Sequence, residues 1–153
     1  MAATVIFDVI NALIAKFATV LPAVTVYDSF PDTDAPPDSY IVVGIPDPSD
    51  ANAATSASSV QEWAHTNHTR RDEAGDVWCV AVAADGGNSP AAARATVRAM
   101  TDAVEAALRD DYTLGVTGLL WTSYGTSTDL QQDRTDRGAI AMLVFSVHFR
   151  ARI

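Results

Sequence analysis

Asp76-Val77-Trp78-Cys79-Val80-Ala81-Val82-Ala83-Ala84-Asp85-Gly86-Gly87-Asn88-Ser89-Pro90 holds a strand, a turn and a helix start in one run. Side chains alternate across a strand, so Trp78, Val80 and Val82 share one face and Val77 and Cys79 the other. Both faces are apolar, which predicts a strand central in its sheet. Asp85-Gly86-Gly87-Asn88 then reads as a turn. Ser89 is a good N-cap, and Pro90 suits the first helical position, where its missing N–H costs nothing. Beyond it Ala93, Val97, Met100, Val104 and Leu108 recur at helical spacing and predict a buried stripe. Arg94, Arg98, Asp102, Glu105 and Arg109 make the wet face, with Arg98–Asp102 and Glu105–Arg109 at the i,i+4 spacing of supporting ion pairs.

Upstream, Val60 to Arg70 reads as the partner strand of a hairpin, with Arg71-Asp72-Glu73-Ala74-Gly75 as its Gly-containing loop. The chain begins with an amphipathic helix whose stripe is Val5, Ile6, Val9, Ile10, Leu13, Ile14 and Phe17, ended by Pro22. Val24 to Tyr27 and Tyr40 to Gly44 are short β-branched strands. Between them lies Asp28-Ser29-Phe30-Pro31-Asp32-Thr33-Asp34-Ala35-Pro36-Pro37-Asp38, which is loop chemistry. Pro46 to Ser59 is a long polar loop of small residues, expected to order against a neighbouring subunit. Downstream, Leu119 to Ser127 and Ala139 to Arg152 form a second hairpin around a charged tip, Thr128 to Gly138, readable as a longer β-arm. The order predicts an α+β fold in a single domain spanning 1–153, a mainly antiparallel sheet of about four to six strands with two helices on one face and an extended β-hairpin.

The chain carries 10 basic and 19 acidic residues, a formal net charge of -9. Sequence-independent DNA binding needs a basic surface to displace counterions, so a DNA-coating role is excluded. One cysteine, Cys79, rules out an intrachain disulfide and suits a reducing compartment. No base precedes the first apolar stretch, which Asp8 and Lys16 interrupt. The expectation is an intracellular chain with neither signal peptide nor membrane span.

The residues that carry chemistry do not assemble. His65 and His68, placed on a strand, would point to opposite faces and cannot share an ion. No G-x-S-x-G elbow exists for a nucleophilic serine. The turn at Asp85 to Ser89 lacks the lysine and spacing of a phosphate loop. Asp72-Glu73 and Asp110-Asp111 read as solvated carboxylates at element ends. The sequon Asn67-His68-Thr69 has no secretory context. Trp63, Trp78 and Trp121 read first as core, with Trp63, on an otherwise polar strand, as the candidate interface anchor. The expectation is a protein with no catalytic residue, cofactor or metal.

An N-terminal amphipathic helix leads into Val24-Thr25-Val26-Tyr27-Asp28, a proline-aspartate loop and Asp38-Ser39-Tyr40-Ile41-Val42-Val43. A hairpin, a long helix and a C-terminal hairpin follow. In this order and composition the chain resembles the tail terminator proteins of long-tailed, siphovirus-like bacteriophages, over nearly its whole length. The long segment Pro46 to Ser59 departs from the plainest versions of that family.

The resemblance implies a structural virion protein of the tail or neck, assembled in the host cytoplasm. It would form a homo-oligomeric ring, a hexamer, on the tail tube protein and stop tube polymerisation. It would also offer a surface to the head completion or connector protein. DNA would pass through without specific binding, and no membrane is involved. The candidate interface or lumen residues are Asp32, Asp34, Asp38, Asp47, Asp50, Trp63, Gln131, Gln132, Arg134 and Arg137. Asp28 to Asp50 holds six aspartates and no base, a composition that would repel DNA if it lined the lumen. Two other readings stay open: another neck, head-completion or minor tail subunit, and a small α+β ligand-binding module.

Overall fold

The computed structural model describes residues 3–46, 52, 54–66 and 69–153. Helix α1 (Ile6–Val20) is followed by β1 (Thr25–Asp28), β2 (Ser39–Val43), β3 (Ala57–Trp63) and β4 (Arg71–Asp85). Helix α2 (Pro90–Asp110) then leads to the long hairpin β5 (Leu119–Thr135) and β6 (Gly138–Arg152). The fold is α+β, as the pattern predicts.

Strand β4 is the spine. One edge pairs with β6 from Asp72↔Arg152 to Asp85↔Ala139. The other edge is shared: β3 occupies it up to Val77, and β2 takes over at Cys79. Strand β1 adds to β2 in parallel, and β5 adds to β6, giving the path β1-β2-β4-β6-β5 with β3 beside β4. All the other pairs are antiparallel. Among the described residues the two ends of this path are open edges.

Both helices cover one face. Val9, Leu13 and Phe17 of α1 and Val97, Met100, Val104 and Leu108 of α2 pack on Val77, Cys79, Ala81, Phe145, Val147 and Phe149. Each large apolar side chain buried this way contributes about 1.5–3 kcal/mol relative to exposure. The start of α2 is built as its sequence reads: Ser89 Oγ accepts the Ala92 N–H at 3.3 Å, with Pro90 in the first turn. The opposite face carries a smaller cluster, Val42, Ile45, Val80, Val82 and Val144, flanked by Tyr27, Tyr40, Trp78 and Met142.

Several boundaries differ from the sequence reading, and β3 already begins at Ala57, inside the stretch read as loop up to Ser59. Arg71 to Gly75 is not a hairpin loop but the first third of β4, and the reversal falls between Trp63 and Arg71. Gly75 marks close strand approach, not a turn: a Cβ there would lie 2.1 Å from the Ser58 carbonyl oxygen and 2.9 Å from the Phe149 ring. The second hairpin also has a shorter tip than predicted. Pairing runs to Thr135↔Gly138, so Thr128 to Thr135 is ladder, and the outer strand β5 lies along β6 as a sheet edge.

A bulge interrupts that edge. Tyr124 opposes Val147 and Thr128 opposes Phe145, so residues 125–127 share one partner position. Gly125 lets the bulge close, since a Cβ there would sit 2.1 Å from Ser146 Oγ. Beyond the bulge every β5 residue is exposed.

Candidate assembly surface

The tryptophans show where the surface departs from the core reading. None of the three is fully buried: Trp63 is 52% exposed, Trp121 36%, and Trp78 is half-buried at the rim of the smaller cluster. Trp63 ends β3, with the Arg71 guanidinium 5.6 Å from its ring centroid. Trp121 lies against His148, ring centroids 5.3 Å apart.

Asp32, Asp34 and Asp38 are exposed on the loop between β1 and β2, and Asp47 and Asp50 lie outside the described residues. Asp38 meets Arg137 of the β5–β6 turn at 3.0 Å, so the acidic loop ends against the hairpin turn. Gln131, Gln132 and Arg134 are exposed on β5. Gln132 Oε1 accepts from Arg94 of α2 at 2.6 Å, a contact that ties the outer strand to the helix. Trp63 stands apart from this group, at the other end of β4.

The acidic pairs are not simply solvated. Glu73 is fully buried, where it accepts from the Thr4 and Ser59 hydroxyls and, at 3.0 Å, from the Val5 N–H at the start of α1. Burial alone would push this carboxyl up, but those donors together with Gln61 outweigh it and hold it below its ordinary value. Glu73 thus acts as an N-terminal cap supplied from the sheet, docking α1. Asp72 receives a two-point bond from Arg152, at 2.6 and 2.9 Å, which lowers its pKa. Asp111 pairs with Lys16 of α1 at 2.9 Å.

The places where chemistry could reside are occupied or incomplete. Burial pushes the Cys79 thiol up to about 12, far from a reactive thiolate. At the α2 N-terminus the Ser89 N–H is taken by Asp85 Oδ2 at 2.8 Å, where a bound phosphate would sit. His65 lies in the β3–β4 reversal and not on a strand, and His68 and Asn67 lie outside the described residues. Among the described residues no three His, Cys, Asp or Glu side chains converge on a metal position. His148 Nδ1 lies 3.1 Å from Asp76 Oδ1 in a hollow shared with Ser123, Ser127 and Ser146. Among the described residues no serine hydroxyl bonds that imidazole. Among the described residues no helix is long and apolar enough to cross a membrane.

Two features escaped the sequence reading. Phe30, alone among prolines and aspartates, is 55% exposed, and Leu130, the one large apolar residue between Thr128 and Gly138, is 49% exposed. Their signal was isolation: a single large apolar side chain in a polar stretch.

No family model matches the chain, and no curated protein does. Among solved structures it is similar to a chain of the virion of a native gene transfer agent particle. The TM-score is 0.64 at 14% identity, covering 99% of this chain and 100% of the other. At that identity the likeness is one of fold, from end to end.

Proposed function

We propose that the protein is a structural subunit of a phage-like virion, the ring that terminates the tail tube. The observation that carries the reading is the end-to-end likeness in fold to a virion chain. The geometry agrees with it. Polar groups are spent on caps, ion pairs and strand ties, while two sheet edges and an acidic loop remain open. Open edges and a heterologous contact repeated about an axis are what a closed ring requires.

In this reading six copies sit on the last tail tube ring, block further tube addition and present a surface to the head completion protein. The net charge of -9 keeps such a ring from binding the phosphates of DNA that passes through it. The chain stands in the tail or neck, is built in before head joining, and performs no reaction.

Tube length tests it. Particles assembled without this chain are expected to carry tail tubes that overrun their normal length and fail to join heads, seen by negative-stain microscopy. Tubes of normal length joined to heads would reject the terminator role.

A further inference from the structure

The two edges of the sheet carry complementary features that the fold itself does not use. On the β5 edge, α2 and the hairpin leave a groove of about 440 Å³. Ala91 and Ala95, one turn apart, leave the room; Leu130 and Leu143 form the apolar wall; Arg94 and Arg98 stand at the rim. Among the described residues Arg98 meets only Asp102, at 3.6 Å with both side chains largely exposed, and Arg94 bonds the neutral Gln132. Among the described residues Arg94 thus has no acidic partner, and Arg98 only a loose, exposed one.

On the β1 edge, the Ser29 N–H bonds the Val43 carbonyl at 2.9 Å and pins the start of the acidic loop. Ser29 takes a left-handed φ of 64°, a conformation that strains a non-glycine residue. That strained corner is followed at once by the exposed Phe30, then by Asp32 and Asp34. An exposed aromatic beside a strained corner is the form of a contact element.

We propose that the α2/β5 groove is the socket for the Phe30 loop of a second copy of this chain. Phe30 enters between the alanines and the two leucines, and Asp32 and Asp34 meet Arg94 and Arg98. Charge selects this occupant: copies of a chain of net charge -9 repel over most of their surface, so they attract where an arginine pair meets an aspartate pair. Position selects it too. β1 and β5 are the ends of a five-strand path, about 19 Å apart at four strand spacings, so the contact joins different copies head to tail. One aromatic and two rim ion pairs make a weak pairwise bond that gains strength when the ring closes. The inference deepens the ring reading above and rests on it.

The test is disulfide trapping in particles assembled with the full chain carrying Phe30→Cys and Leu130→Cys. Cys79 is buried and stays in place. Oxidation is expected to give a ladder of covalent oligomers, each step one chain, up to the closed ring. Either single variant should give at most dimers. A second arm reverses charge: Arg94→Glu with Arg98→Glu should cut ring incorporation at least tenfold, and adding Asp32→Arg with Asp34→Arg should restore it. Rings seen by microscopy without a ladder would overturn the socket and leave the ring reading standing. Loss without restoration by the second pair of reversals would assign the groove to a different virion protein and overturn the copy-to-copy contact. Chains that enter particles without forming any ring would overturn both readings.

Discussion

Strands β4 and β5 are of similar length and lie two places apart in one sheet, yet they hold opposite kinds of information. β4 is paired on both sides, and its second half is buried almost without interruption. β5 is paired on one side and exposed throughout from the bulge onward. The first is where the fold is decided. The second is the edge proposed above to meet a second copy. A sheet that stores its stability at the centre can leave its rim polar and adaptable, because rim residues add little to burial.

That division can be broken by substitution, and the largest effect belongs to the centre. Gly75→Val places a side chain where Ser58 and Phe149 already stand, and should destabilise the chain by about 4 kcal/mol or prevent folding, read by thermal or urea unfolding. Glu73→Gln comes next. An amide puts its own N–H groups among the donors that the carboxylate now accepts, and about 2–3 kcal/mol should be lost, with α1 undocking first in hydrogen exchange.

The same residue sets an acid dependence. Its folded pKa lies below the ordinary 4.5, so its contribution is fully present above that value and is lost as pH falls through the lower folded value. Wild-type stability should therefore drop more steeply below about pH 4.5 than that of Glu73→Gln, measured by urea midpoints across the acid range. Ser89→Ala removes the α2 cap and should cost about 1 kcal/mol. Leu130→Ser, at the rim, should stay within about 0.5 kcal/mol of wild type. A large loss there would mean that β5 belongs to the core after all.

The same contrast explains what the sequence made legible. The run Val77 to Ala83 is apolar on both faces and reads as a central strand because burial leaves a composition signature. Ser89-Pro90 and the stripe from Ala93 to Leu108 read as a capped helix for reasons local to the chain. What failed was non-local. Gly75 looks like a turn glycine until Ser58 and Phe149 are known to press on it, and Glu73 looks like a surface acid until the start of α1 is seen to sit on it. The candidate surface was legible only in part. Asp38 with Arg137 and Gln132 with Arg94 are contacts between segments far apart in sequence. No periodicity encodes them, and Phe30 and Leu130 gave only the faint mark of being apolar in polar company.

The central claim is that this fold spends its open edges on copies of itself at the end of a tube. A cryo-electron microscopy map of the intact particle tests it most directly. The account predicts six copies of this chain in a ring between the last tube layer and the neck, with β1 edges meeting β5 edges around the axis. Density for the chain as an isolated protomer elsewhere, or its absence from the particle, would contradict it.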